Sequence, residues 1–307
     1  MDFATRPSKI KYDDIIALNI KHSKTTRLVG YLQHLEKNVL LSDRIPLDTI
    51  TVPKQISKGY SQTRGVLYLL LGGICAFDHN ADKIILSECG TTMYQPSFGL
   101  FDRITYTSDP IVQKSTVRLL HEFLNYDVNI ITPFENNTKS EMFASSRRND
   151  YLKNTHSCIS SRFGCNLGCC YGCMIRRIGF IVAGVDDCDY KYDLFTLKDG
   201  QRIDYYGKST SDGRITNFME LMRFSLDILC DYKSLDPMKR KRIDQYGKYD
   251  LFRRFALDTF STLLLIRNSG KKKINPRIES SYIDAMKYID EDEIINRIDY
   301  VRSLKGG

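Results

Sequence analysis

Five of the nine cysteines in this chain lie within sixteen residues, in the run SCISSRFGCNLGCCYGCMIRR at positions 157–177. Four thiolates that converge at about 2.3 Å on one ion form the usual tetrahedral zinc site. Glycines interleave these cysteines, and glycine lets a backbone curl tightly around a metal. The segment therefore predicts a structural zinc site in a short, turn-rich stretch of chain.

Three other interpretations of the cysteines are weaker but stay open. A disulfide scaffold is typical of secreted chains, and the start MDFATRPSKIKYDD has no signal-peptide pattern, so we expect a reducing cytoplasm. An iron–sulfur cluster is suggested by the even spacing of Cys165, Cys169 and Cys173, although the radical-enzyme pattern would need cysteine at Gly172. Reduced or redox-active thiols are the third. His156 is an alternative zinc ligand beside the cluster.

Charge and hydropathy limit the partners. The net charge of +8 over 307 residues is a moderate basic excess. The basic runs 238–242 and 271–273 lie in or beside expected loops without interleaved aromatics, so we expect solvated surface and no nucleic-acid partner. The longest apolar run, 65–77, is shorter than the about 20 residues that span a membrane, and it predicts a buried helix.

The first half of the chain alternates β-branched runs with helical periodicity, which predicts an α/β layer with a mainly parallel sheet. The expected strands are 15–21, 48–52, 83–87 and 127–132. The expected helices are 25–37, 61–77 and 110–125. The polar stretch from 132 to 150 predicts a loop or a short helix.

The last third of the chain has a different pattern. Helical spacing recurs over 217–233, 248–267 and 280–305, which predicts a helical subdomain. The expected organisation is an α/β domain over 1–150, a zinc-binding segment over 151–185 and a mainly helical subdomain over 186–307.

The cysteine segment resembles the zinc segment of the 7-cyano-7-deazaguanine synthases, the QueC-like ATP-pyrophosphatase (PP-loop) enzymes of queuosine biosynthesis. In that family four cysteines occupy a similar span, end in Cys-x-x-Cys and are followed by an arginine, which Arg176 matches here. The fold implied is a partial adenine-nucleotide-hydrolase-like sheet with a zinc knuckle. The ligands implied are Cys158, Cys165, Cys170 and Cys173, with Cys169 as the substitute for Cys165. Four thiolates leave no open position for a catalytic water, so the zinc is expected to be structural.

The resemblance also implies positions that bind substrate or nucleotide. Segment 61–76 is similar to the family's arginine-headed helix, and KIILSECG at 83–90 is similar to a strand and loop that usually reads Glu-Asn-Gly. Segment 105–110 is similar to a family Thr-Arg-Thr-Thr-His-Pro stretch, with tyrosine and aspartate in place of the arginine and histidine. The candidates are Arg64, Glu88, Gly90, Thr107 and Arg176.

The activity implied is the ATP-dependent conversion of 7-carboxy-7-deazaguanine to an amide and a nitrile. Residues 249–264 are similar to the helical extension of defence-associated relatives, which implies a second activity, the conjugation of a deazaguanine to a protein. A non-catalytic zinc module that binds RNA or protein is a third possibility. The family's pyrophosphate loop, Ser-Gly-Gly-x-Asp-Ser, does not occur in these residues. We therefore expect weak ATP binding by this chain alone, with Mg-ATP held only if a complementary subunit supplies that loop.

Overall fold

Two pairs of parallel strands and a longer series of helices form the described part of the protein. The computed structural model describes residues 17–22, 47–52, 64–98, 108–146, 170–188, 215–270 and 274–305, and the single positions 152, 153, 155, 157, 166, 168, 190, 193 and 195. The strands are β1 (Ala17–His22), β2 (Leu47–Val52), β3 (Lys83–Ile85) and β4 (Asn129–Ile131). The helices are α1 (Arg64–Asp78), α2 (Gly90–Met93), α3 (Pro110–Leu124), α4 (Lys139–Ala144), α5 (Tyr171–Ala183), α6 (Ile215–Cys230), α7 (Pro237–Gln245), α8 (Tyr249–Ser269), α9 (Pro276–Ala285) and α10 (Glu291–Ser303).

The chain divides into two compact units, of which the first contains residues 1–88 and 103–135. In this unit β1 pairs with β2, and β3 pairs with β4, both in parallel. Parallel neighbours need a crossover connection, and α3 lies in the connection between β3 and β4. The first unit is therefore the α/β part of the protein.

Helix α3 has clear start and stop signals. The Asp109 carboxylate accepts a hydrogen bond from the Ile111 amide at 2.8 Å, and Pro110 occupies the first turn. Such a cap satisfies an amide that has no partner within the helix. The helix ends at Asn125, whose positive φ of 49° is tolerated by asparagine better than by most residues.

The close approach of α1 to α3 depends on a glycine. A Cβ at Gly73 would collide with the side chain of Leu120, whereas a Cβ at Gly72 would meet its nearest atom, Ile84 Cγ2, at 3.9 Å. Leu120 belongs to a small buried cluster with Ala76 and Val128. Gly73 thus allows the contact around which this cluster forms.

The parallel strand pairs confirm the expected parallel pairing in part, since each described sheet has two strands and most of the described residues are helical. The strand ends lie within two residues of those expected. Helices α1 and α3 confirm two of the three expected helices, and the third, 25–37, lies outside the described residues. The expectation of a buried helix over 65–77 is wrong in part, because Ile74 and Phe77 of α1 are exposed. No helix within the described ranges combines the length and apolar character needed to cross a membrane.

The second unit, residues 89–102 and 136–307, is helical in its described part and is organised around α8. Every residue from 255 to 264 of this helix is buried. Helices α5, α6 and α10 pack against it. A helix that is buried around its whole circumference occupies the centre of a core, so α8 is the element on which the others are assembled.

The end of the chain also stabilises the carboxyl end of α5. The Arg302 side chain donates to the Val182 carbonyl at 3.3 Å, and Lys305 Nζ donates to the Gly184 carbonyl at 2.6 Å. Cations at this position satisfy free carbonyl groups and oppose the negative end of the helix dipole.

Two predictions for the helical region were wrong. The expected helix 280–305 is two helices, α9 and α10, because Asp290 starts a new helix by accepting from the Asp292 amide at 3.0 Å. The basic run 238–242 lies on α7 and not in a loop. Asp236 caps that helix by accepting from the amides of Met238 and Lys239.

Candidate functional site

The last two cysteines of the cluster lie at the amino end of α5. Cys170 is the N-cap residue and Cys173 lies in the first turn. Both are buried, and their sulfur atoms are 3.3 Å apart. In a tetrahedral site with Zn–S bonds of about 2.3 Å, neighbouring sulfurs are about 3.8 Å apart. A small increase in the distance between the two sulfur atoms would therefore let both thiolates bind one ion.

The residue before one other predicted ligand contacts the same turn, and the residue after another predicted ligand is hydrogen-bonded to that first residue. A Cβ at Gly172 would collide with the carbonyl oxygen of Ser157, the residue before Cys158. The Ser157 amide donates to Asn166 Oδ1 at 3.3 Å, and Asn166, the residue after Cys165, is buried. These contacts bring the positions next to the predicted ligands to the start of α5. The two described cysteines, Cys170 and Cys173, thus fit part of a zinc site in chemical type.

The other predicted ligands, Cys158, Cys165 and the substitute Cys169, lie outside the described residues, as does His156. Among the described side chains, no group of three or more histidine, cysteine or acidic residues is placed to hold a metal. The zinc site stays a prediction that the Gly172–Ser157–Asn166 contacts support.

Arg176, one turn further along α5, is completely buried among protein acceptors. Its Nε donates to Asp187 Oδ1 at 3.0 Å, its Nη1 to the Thr155 hydroxyl, and its Nη2 to the Leu152 carbonyl at 3.0 Å. The guanidinium also lies 4.4 Å from the centre of the Phe180 ring. Every guanidinium nitrogen therefore has an acceptor within the protein, and contact of Arg176 with substrate stays a prediction.

Asp187 is the carboxylate that organises this region, and sequence reasoning missed it. It pairs with Arg176, accepts from the Cys188 amide at 2.7 Å and accepts from the Tyr190 hydroxyl. Burial alone would lower the pKa of Arg176, but the charge and hydrogen bond of Asp187, together with Tyr190 and Cys188, outweigh that effect and the pKa is raised. Burial also raises the pKa of Tyr190, so the phenol stays neutral and donates to the carboxylate.

The predicted substrate loop follows β3. Glu88 is half-buried, and Gly90 is the first residue of the short helix α2. The Gly90 amide donates to the Asn137 carbonyl at 3.0 Å. Arg64 is the first residue of α1, and Thr107 lies outside the described residues.

Aromatic side chains fix the continuation of this loop, residues 89–98, on the helices of the second unit. Phe98 is buried, stacks on Tyr171 with ring centroids 5.5 Å apart, and contacts Phe224 edge-on at 4.6 Å. Lys248 Nζ lies 4.3 Å above the centre of the Tyr94 ring. The loop is therefore packed onto the same helical core that carries the cysteine turn.

Residues 8–184, more than half of the chain, match the family model described as queuosine biosynthesis protein QueC. The chain belongs to the QueC family. No curated protein and no solved structure matches it. The matched segment includes the substrate-like loop, the cysteine turn and α5, whereas helices α6 to α10 lie beyond it.

A buried ionic network joins the QueC segment to the helices beyond it. Glu141 of α4 and Asp258 of α8 are both inaccessible to solvent, and Arg297 of α10 lies between them. Arg297 Nη1 is 2.7 Å from Glu141 Oε1, and its Nε is 2.8 Å from Asp258 Oδ1. Its Nη2 donates to the Thr138 hydroxyl at 3.0 Å. Arg254 of α8 forms a second ion pair with Glu141.

The pKa values of the two carboxyl groups in this network, Glu141 and Asp258, are shifted in opposite directions. Burial alone would raise the pKa of Glu141, but the charges of Arg297 and Arg254 outweigh it and the pKa lies below its usual value. Burial raises the pKa of Asp258, which lies deepest, and Arg297 opposes that shift. Glu141 is thus held as an anion by two arginines.

Part of this network has a signal in the sequence. Thr138 and Glu141 form a capping box, in which the Thr138 amide donates to Glu141 Oε2 at 2.9 Å and the Glu141 amide donates to the Thr138 hydroxyl at 3.4 Å. The Thr-x-x-Glu spacing predicts such a helix start. It places the start of α4 inside the polar stretch 132–150.

Proposed function

We propose that this QueC-family chain binds a 7-carboxylated deazaguanine and takes part in its ATP-dependent conversion to the amide and the nitrile. The observation that carries the proposal is the family match over residues 8–184, which includes the loop with Glu88 and Gly90 and the cysteine turn of α5. The family description names queuosine biosynthesis, a pathway of deazaguanine chemistry.

The chemistry of the proposed reaction sets the groups that it needs. The carboxylate oxygen attacks the α-phosphate of ATP, pyrophosphate leaves, and ammonia then displaces AMP to form the amide. A second ATP activates the amide oxygen so that dehydration gives the nitrile. Cations that face the developing charge and a site that excludes water favour these steps. Arg64 and Arg176 are the cationic candidates, and the proposed pyrophosphate loop for Mg-ATP comes from a complementary subunit.

We assign structural zinc to Cys158, Cys165, Cys170 and Cys173, with Cys169 in place of Cys165 as the variant set. The support is the buried pair of sulfurs at the start of α5, the contact of Ser157 with the same turn and the hydrogen bond between Ser157 and Asn166. A bound ion would hold the segment before α5 against the helix that carries Arg176. A chelator that removes the ion is therefore expected to lower the melting temperature of the chain.

Ligand binding tests the proposal without depending on turnover. Isothermal titration of the purified chain with 7-carboxy-7-deazaguanine is expected to show saturable binding at one site, and 7-deazaguanine without the carboxylate is expected to bind at least about tenfold more weakly. Mass spectrometry of the small molecules after incubation with Mg-ATP, ammonium and a subunit that supplies the pyrophosphate loop then identifies amide or nitrile. Equal affinity for both ligands, or no binding of either, would overturn the proposal.

A second candidate function is the conjugation of the deazaguanine to a protein amine. It is favoured by the helices beyond residue 184, which share a buried core with the QueC segment. In this reaction a protein nitrogen displaces AMP from the acyl-adenylate and an amide bond forms. Intact-mass measurement of the proteins co-expressed with this chain would detect a deazaguanine-sized adduct. Salt-sensitive RNA binding together with no deazaguanine binding would instead favour the non-catalytic zinc module.

A further inference from the structure

Two cations from beyond the QueC segment contact the turn that precedes α4. Arg254 Nη2 donates to the Asn136 carbonyl at 2.7 Å, and Lys248 Nζ donates to the Asn136 side-chain oxygen at 2.7 Å. Arg254 also pairs with the buried carboxylate of Glu141 through Nη1. Both cations belong to α8 or its N-cap, outside the segment that matches the family.

These contacts fix the direction of one backbone carbonyl. Asn137 lies between Asn136, whose carbonyl is bound by Arg254, and Thr138, whose amide is bound by Glu141 at 2.9 Å. With the peptide groups on both sides held, the Asn137 carbonyl has little freedom to rotate. It accepts the hydrogen bond of the Gly90 amide at 3.0 Å.

Lys248 also contacts the other side of the loop. Lys248 lies 4.3 Å above the Tyr94 ring, four residues after Gly90, while it binds Asn136. Cation–π contact and hydrogen bond thus join the loop of residues 89–98 to the turn of residues 136–138. At position 254, arginine holds the turn of residues 136–138 better than lysine would, because its planar guanidinium binds two acceptors at once.

We propose that Arg254 is a positioning residue for the substrate loop: it acts through the turn 136–138 to hold Gly90. The inference rests on the proposed function for the role of that loop in binding deazaguanine. It gives the helices beyond the QueC segment a part in the site, since one of their side chains sets the geometry of a loop within the matched segment.

The positioning claim is tested by hydrogen exchange in Arg254→Gln and in a matched control, Arg253→Gln. Arg253 is the preceding residue of α8, is similarly exposed (39% against 32% of the side chain) and pairs with Glu293 instead of Glu141. Loss of the Arg254 contacts with the Asn136 carbonyl and the Glu141 carboxylate is expected to speed exchange of peptides that contain Gly90 by roughly tenfold in Arg254→Gln. The control is expected to leave those peptides within about twofold of the native chain.

Peptides of the α8 centre report whether the whole fold is loosened. Equal acceleration there and at Gly90 would mean general destabilisation and would overturn the positioning role, as would unchanged exchange at Gly90. Arg254→Lys, which retains the charge with only one ammonium group, is expected to recover part of the protection.

Titration with 7-carboxy-7-deazaguanine separates this inference from the proposed function. If the native chain binds the ligand, Arg254→Gln is expected to raise Kd by about fivefold or more while Arg253→Gln leaves it unchanged. An unchanged Kd in Arg254→Gln would overturn the role in substrate binding. If the native chain does not bind, the proposed function fails, whereas the exchange difference at Gly90 still decides whether Arg254 holds the loop.

Discussion

Replacing Arg297 with methionine is expected to lower the free energy of unfolding by about 3–5 kcal/mol at neutral pH, because the change leaves buried carboxylates without their partner. Only 4% of the Arg297 side chain is exposed, and it binds Glu141, Asp258 and Thr138 at 2.7 to 3.2 Å. Methionine fills much of the same volume, so the loss measures charge and hydrogen bonding more than packing.

The two carboxylates are not affected equally. Glu141 retains Arg254 and the Thr138 amide after the substitution. Asp258 has Arg297 as its opposing charge, and burial already raises its pKa in the native chain. Loss of the arginine raises that pKa further, so most of the cost belongs to an ionised Asp258.

This assignment predicts a pH dependence with a definite sign. A carboxyl group whose pKa is higher in the folded state than in the unfolded state stabilises the fold as pH falls, because the folded state binds the additional proton. Glu141 has the opposite shift in the native chain, and its contribution is lost as pH falls through its lowered pKa. The deficit of Arg297→Met relative to the native chain is therefore expected to be largest near pH 7 and to shrink towards pH 4.

Urea denaturation followed by circular dichroism between pH 4 and pH 8 measures the deficit. Arg253→Met is the control, since its pair with Glu293 is partly exposed and such pairs contribute up to about 1 kcal/mol. The double variant Asp258→Leu/Arg297→Met, which removes the uncompensated charge, is expected to recover most of the loss. A deficit in Arg297→Met no larger than the control, or one that grows as pH falls, would refute the reasoning.

Two further predictions concern packing and the buried arginine of α5. Gly73→Ala is expected to lower the free energy of unfolding by about 1–3 kcal/mol, because its Cβ would collide with Leu120. Gly72→Ala in the same helix is expected to be neutral or to raise it by up to about 1 kcal/mol. Thermal melts of both variants test the difference. Asp187→Ala is expected to lower the free energy of unfolding by about 3 kcal/mol or more, since it leaves the fully buried guanidinium of Arg176 without its counter-charge. Urea denaturation measures this loss, and a value below about 1 kcal/mol would contradict the pairing.

Local patterns in the sequence predict much of the fold. β-branched runs indicate the parallel strands, and a capping aspartate before Pro110 indicates the start of α3. Two errors came from giving too little weight to similar signals. The pair Asp236-Pro237 starts α7 in spite of the charged run that follows, and Asp290 with three acidic residues after it starts α10.

The candidate site is predictable only where its residues are close in sequence. The turn with Cys170 and Cys173 follows from a spacing of three residues at a helix start. The partners of Glu141 do not, because Arg297 lies 156 positions away and no periodicity connects the two. Such a pair becomes visible only when the packing of α4, α8 and α10 is known.

Metal analysis of the purified chain, compared with Cys173→Ser, tests the zinc assignment most directly. Plasma mass spectrometry is expected to find one zinc per native chain and a large loss in the variant, because Cys173 is a proposed ligand that lies buried beside Cys170. A native chain without stoichiometric zinc, or zinc that survives Cys173→Ser undiminished, would contradict the account.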